Sequence, residues 1–172
     1  MNGPARDLPR LEPAVRRLRV APALQVGNPL PPFTLTDQSG TERHSNQLGG
    51  QPLVLFFYPK DDTPGCTAEV CAFRDDISAF EALGAQVWGV SGDDASSHGR
   101  FAQRHSLPFP LLVDQGNSVR KALGVPGVLG LIPGRVTYVV DGSGVVRFVF
   151  NNLLDGAAHA REALAALRRL AV

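Results

Sequence analysis

Two cysteines, Cys66 and Cys71, fall within Phe57-Tyr58-Pro59-Lys60-Asp61-Asp62-Thr63-Pro64-Gly65-Cys66-Thr67-Ala68-Glu69-Val70-Cys71. A cysteine reacts as its thiolate, and a free thiol titrates near about 8.5. Helix N-termini and adjacent cations bring that value down to roughly 3.5–7.5. The residues before Cys66 suit such a place: Thr63 can set its hydroxyl beside the sulfur or cap a helix, and Pro64 fits a helix entry. Gly65 leaves room for a small molecule to approach. Without activation the two thiols would be small core hydrophobes. The Thr-Pro-Gly turn favours the reactive reading. A structural zinc site needs about four ligands, whereas the spacing here is C-x4-C with no second pair and no thioredoxin-type C-x-x-C. His44, His98, His105 and His159 are scattered along the chain, so no metal or cofactor is expected.

The flanking elements place the thiol. Pro52 to Phe57 is a short apolar run that reads as a buried strand. Thr67 to Leu83 carries Val70, Phe73, Ile77, Phe80 and Leu83 at steps of three and four, the pattern of an amphipathic helix. Cys66 then stands at the junction of strand and helix, where backbone N–H groups lack intrahelical partners and the helix dipole is positive.

These residues resemble the peroxiredoxin family. Pro59-x-x-x-Thr63-x-x-Cys66 matches its active-site motif, and Cys71, five positions on, is similar to the resolving cysteine of the peroxiredoxin Q (bacterioferritin comigratory protein) branch. The resemblance runs from about Leu24 onward and includes Ser91-Gly92-Asp93-Asp94 and Pro133-Gly134-Arg135-Val136-Thr137-Tyr138-Val139-Val140-Asp141. It implies a thioredoxin-like fold and a peroxidase in which Cys66 attacks the peroxide and becomes a sulfenic acid that Cys71 converts to a disulfide. Thr63 and backbone N–H groups would bind the peroxide, Pro59 would shield the sulfur, and thioredoxin or a similar dithiol would be the reductant. Arg135, by itself a surface arginine at a strand start, becomes the cation of the pocket. Glu69 would accept from Arg135 or else remain an exposed first-turn carboxylate. A thiol–disulfide oxidoreductase and a redox-sensing binding protein are the alternative classes for two such cysteines.

Five residues along an α-helix separate Cα atoms by over about 8 Å, beyond the roughly 7 Å that a disulfide spans. Pairing of Cys66 with Cys71 therefore requires the helix start to unwind.

The remaining chain supplies a mixed sheet. Phe33 to His44 reads as a hairpin, Ser45 to Leu48 as a helical turn, and Ala85 to Val90 as a strand holding Trp88 in the core. Asp93 to Ser106 reads as a helix with Phe101 inside and His98 and His105 solvated; Lys60, Asp61 and Asp62 are also expected in water. A strand over Pro108 to Val113, a short helix ended by Gly124, and a Pro/Gly loop from Val125 to Gly134 follow. Arg135 to Val140 and Val145 to Phe150 form a second hairpin, and Asp155 to Ala171 a closing helix. Alternation in the middle and hairpins at both ends imply an α/β fold with helices on both faces of a mixed sheet.

One domain is expected, residues 25–172, behind a flexible Arg- and Pro-containing leader over residues 1–24. Arg16-Arg17 is followed by no uninterrupted apolar run, so a cytoplasmic location is expected rather than export. No stretch approaches the roughly 20 apolar residues of a membrane span. A formal net charge of +1 gives no basic surplus for nucleic acid. The family branch implies a monomer.

Overall fold

The computed structural model describes residues 21–171. An antiparallel hairpin of β1 (Thr34–Thr36) and β2 (Glu42–His44) precedes β3 (Leu53–Phe57), the middle strand of a five-stranded sheet. Then come α1 (Pro64–Asp75), α2 (Ile77–Ala82), β4 (Gln86–Ser91), α3 (Ala95–Arg104), β5 (Leu111–Val113) and α4 (Ser118–Ala122). The chain closes with β6 (Val136–Val140), β7 (Val146–Asn151) and α5 (Gly156–Leu170). The order is β5-β4-β3-β6-β7, with β4 parallel and β6 antiparallel to β3. This is the mixed sheet and thioredoxin-like arrangement that the sequence implies.

Every residue of β3 is buried, because alternate side chains feed two cores. Val54, Phe56 and Tyr58 pack with Val70 and Phe73 of α1, Phe80 of α2, Phe101 of α3 and Ala163 of α5. Leu53, Leu55 and Phe57 face Trp88, Leu123, Tyr138 and Val140 on the other side. Phe56 stacks on Phe73 with centroids 4.3 Å apart, which fixes α1 over the middle of the sheet.

Local chemistry explains where the elements depart from the periodic pattern. The helix expected from Thr67 to Leu83 starts at Pro64 and divides at Asp76, whose φ and ψ are −96° and 5°. Asp75 and Asp76 are weak helix formers, and the run restarts as α2 before Gly84, at φ 72°, ends it. Ser45 to Leu48 is a turn and not a helix: the Ser45 hydroxyl accepts from Phe33 N–H at 2.8 Å, and Ser45 N–H returns to Phe33 O at 3.0 Å. β5 starts only at Leu111, since Pro108 and Pro110 have no N–H to give a ladder. Residues 1–20 of the expected leader lie outside the described residues. Leu24, also assigned to it, is buried and donates its N–H to Leu123 O at 3.1 Å.

The start of α1 meets the start of α5. Gly156 is the first residue of α5, and a Cβ on it would fall 2.3 Å from Gly65 O and 3.1 Å from Glu69 Cβ. Only hydrogen at this position lets the two helices close. Gly156→Ala should therefore destabilise the protein by about 1–3 kcal/mol, the usual cost of forcing atoms into a filled contact. Urea unfolding measures it, and an unchanged midpoint would show that α5 can retreat freely.

Candidate active site

Thr63 is the N-cap of α1, with extended φ and ψ of −91° and 149°, and Pro64 and Gly65 lead to Cys66. The first intrahelical bond runs from Thr67 N–H to Thr63 O at 2.9 Å, so the N–H groups of Gly65 and Cys66 have no acceptor within the helix. The Thr63 hydroxyl does not cap α1; it donates to Lys60 O at 2.8 Å and keeps its lone pairs free. Cys66 is fully buried, and both thiols are unpaired cysteines.

Arg135 directly precedes β6, and the pairing of Phe57 with Val136 brings it beside the chain leaving β3. Its Nη1 donates to Cys66 Sγ at 3.5 Å and to Glu69 Oε2, and its Nε donates to Leu153 O at 3.0 Å. Gly65 permits this approach, because a Cβ there would lie 3.0 Å from Arg135 Nη2. Burial opposes charge on Arg135, but Glu69 and Cys66 outweigh it and hold the guanidinium above its ordinary value. Glu69, left open between a partner and an exposed residue, is fully buried as that partner.

Burial pushes the Glu69 carboxyl up to about 8, against the pull of Arg135 and then Arg120. Glu69 Oε1 has no hydrogen-bond partner among the described residues, and His159 Nδ1 lies 3.7 Å away. The His159 ring faces Asn152 O through Nε2 at 2.8 Å, so Nε2 carries the proton and Nδ1 accepts from Thr137 Oγ1 at 2.7 Å. Burial pushes His159 down to about 4. An unpaired Oε1 beside an unprotonated Nδ1 suits a neutral Glu69.

Arg120 carried no sequence signal, yet it is buried and joins the two halves of the site. Its Nη1 and Nη2 donate to Gly134 O at 2.6 Å and Tyr58 O at 2.7 Å, tying the residue before Arg135 to the strand end before Pro59. Burial lowers its pKa, opposed by Asp114, Cys66 and Glu69.

Pro59 is half-buried at the head of the loop, and Lys60 and Asp62 are exposed as expected. Asp61 and His98 are corrections. Asp61 is buried and accepts from Tyr58 Oη at 2.6 Å and Ser97 Oγ at 2.8 Å, while its N–H donates to Asp93 Oδ2 at 2.9 Å. His98, fully buried, meets Asp61 Oδ2 through Nδ1 at 2.7 Å and Leu112 O through Nε2 at 3.0 Å. Burial works to raise the Asp61 pKa, but the bonds from His98 and Tyr58 hold it below the usual carboxylate value. A legible signal existed for His98: it lies three residues before Phe101, already assigned inward, and such residues share a helix face. His105, four beyond Phe101, shares that face too and is half-buried with Nδ1 3.8 Å from Cys71 Sγ. His44 lies on the hairpin, bonded to Thr34.

The AhpC/TSA family model matches residues 26–149. The chain is 47% identical over 163 residues to a chloroplastic peroxiredoxin Q of Suaeda salsa, covering 94% of this chain and 76% of that one. It is 50% identical over 145 residues to that of Sedum lineare, covering 84% and 78%. Among solved structures, peroxidoxin BcpB of Mycobacterium tuberculosis superposes with a TM-score of 0.79 at 38% identity, over 86% of this chain and 98% of that one. The bacterioferritin comigratory protein of Xanthomonas campestris, described with an alkyl peroxide reduction activity, gives 0.74 at 32% identity, over 81% and 92%. Likeness of this extent, on a thioredoxin-like sheet with a thiol in the first turn of a helix, defines a thiol-dependent peroxidase. The chain belongs to the AhpC/TSA family, in its peroxiredoxin Q branch.

The perturbed pair beneath the thiol gives stability a pH dependence of definite sign. Folded Glu69 keeps its proton up to about 8 where its ordinary value is 4.5, so between those values the folded state holds the extra proton and stability falls as pH rises. Folded His159, depressed from 6.5 to about 4, acts oppositely and is silent above about pH 7. In a Cys66→Ser background the urea midpoint should decline between about pH 7 and 8.5, and adding Glu69→Gln should flatten that decline. Equal slopes would mean that Glu69 is already ionised at neutrality.

Proposed function

We propose that Cys66 is the peroxide-attacking thiol and Cys71 the resolving one, in a peroxidase acting on hydrogen peroxide and organic hydroperoxides. The observation that carries this reading is Arg135 Nη1 donating to a buried Cys66 Sγ in the first turn of α1. In the attack, the Cys66 thiolate bonds the terminal peroxide oxygen, the O–O bond breaks, and the leaving oxygen takes a proton and departs as water or an alcohol. Charge growing on that oxygen needs donors already in place, and Arg135 with the free N–H groups of Gly65 and Cys66 supplies them. Thr63 has spent its proton on Lys60 O, so its role is to accept the peroxide O–H and fix which oxygen faces the sulfur. Pro59 shields the pocket from water.

Resolution by Cys71 forms the disulfide and releases water, and an external dithiol of the thioredoxin type reduces it again. A reducing compartment such as the cytoplasm suits that cycle, and a monomer suffices for it because both sulfurs lie on one helix. No helix among the described residues is long and apolar enough to cross a membrane. Since α1 is continuous through both cysteines, with Cα atoms separated by over about 8 Å, the bridge demands unwinding.

Stopped-flow mixing of the reduced protein with peroxide tests the assignment. Cys66→Ser should abolish the reaction, and Cys71→Ser should react once and stop at a sulfenic acid that a dimedone-type reagent traps. Peroxide reactivity that persists in Cys66→Ser would sink it. Hydrogen exchange gives an independent check: oxidation should strip protection from residues 66–72 and leave β3, β4 and β6 unchanged. Unaltered protection there, in a protein shown to carry the disulfide, would exclude the coupled unwinding.

A further inference from the structure

Cys71 has a neighbour that the proposed cycle does not use. Its Sγ lies 3.8 Å from Nδ1 of His105, the C-cap residue of α3. The imidazole is held in place: its edge packs on Phe101 with centroids 5.2 Å apart and planes at 82°, and its own carbonyl accepts from Arg74 Nη1 at 2.8 Å. Arg74 stands three residues beyond Cys71, so the same face of α1 grips the end of α3 at two points. Arg74, whose charge acts on Cys71, is paired with Asp75 on α1, and Arg104, the residue before His105, is paired with Asp62.

We propose that His105 is the base for the resolving step, a reading that rests on Cys71 being the resolving thiol. With the ring proton on Nε2, Nδ1 accepts the Cys71 S–H. Transfer of that proton leaves a thiolate beside an imidazolium. The thiolate attacks the sulfur of the Cys66 sulfenic acid, the S–S bond forms as the S–O bond breaks, and the departing hydroxide takes the proton back from the imidazolium, directly or through water. Cys71 sulfur is oxidised, Cys66 sulfur is reduced, and one water leaves. The contact belongs to the folded helix, so the proton moves first and Cys71 leaves α3 already ionised. His105 touches a reacting atom and counts as a catalytic residue of this step.

The test follows the full-length reduced protein after one equivalent of hydrogen peroxide, with acid quench, thiol alkylation and mass measurement at successive times between pH 5.5 and 9. His105→Gln and His105→Ala should form the sulfenic acid at the parent rate. Their disulfide formation should be slower by at least about ten-fold below pH 8 and should converge on the parent near pH 9, where a thiol ionises unaided. Added imidazole should restore the His105→Ala rate. A slowing by the same factor at every pH marks a structural latch and overturns the base, as does no slowing. A parent that consumes peroxide without ever forming the Cys66–Cys71 bond overturns both the base and the reading of Cys71, whereas a disulfide whose formation ignores His105 overturns the base alone.

Discussion

A guanidinium buried between a thiol and a carboxyl is the interaction that the rest of the structure serves. An ion taken out of water costs several kcal/mol unless its neighbours replace the lost solvent. Arg135 meets that cost through Glu69, Cys66 and the Leu153 carbonyl, which two different parts of the chain supply. Glu69 and Cys66 come from one turn of α1, Leu153 from the segment after β7, and Arg135 itself from the start of β6. Two glycines, Gly65 and Gly156, remove the side chains that would keep these elements apart. A second buried cation, Arg120, then bridges the backbone on either side of the pocket. The sheet is a frame that brings these groups within hydrogen-bonding reach.

That arrangement creates a conflict between the two halves of the proposed cycle. Attack on peroxide needs α1 intact, because the free N–H groups at its start and the Arg135 contact exist only in the helix. Disulfide formation needs the same turns undone. Unwinding as far as Ala72 would expose Val70, which is fully buried, at a cost of about 1.5–3 kcal/mol, while Phe73 could keep its stack on Phe56. A penalty of that size is a fraction of the roughly 5–15 kcal/mol that hold a domain together, so the opening can stay local.

Much of this was legible in the residues. The strand before Pro59, the thiol at a helix entry, the helix over Phe73 and the terminal hairpin all follow from apolar period and turn chemistry, and they are where the pattern puts them. What was hidden is the polar interior. Asp61 lies in a run of Lys and Asp that reads as solvent-facing, and its burial depends on Tyr58, Ser97 and His98, two of them on a helix more than thirty residues away. Arg120 looks like any basic residue of a short helix, since its acceptors are backbone carbonyls and leave no trace in composition. Periodicity reports which face is inward; it does not report which inward groups find partners.

Those hidden contacts set the limits of the unwinding. Upstream, the loop between β3 and α1 is held by Asp61 to Tyr58, Ser97 and Asp93, and by the Arg120 bond to Tyr58 O. Downstream, Arg74 grips the end of α3 and Phe73 is stacked on the sheet. Asp76 separates α2 from α1 with non-helical φ and ψ of −96° and 5°, so the helix that carries both sulfurs ends there. The segment free to rearrange is the one carrying both sulfurs, and the Cys71–His105 contact is the side-chain hydrogen bond that Cys71 must release. A base placed at that contact would ionise the attacking sulfur before the helix releases it.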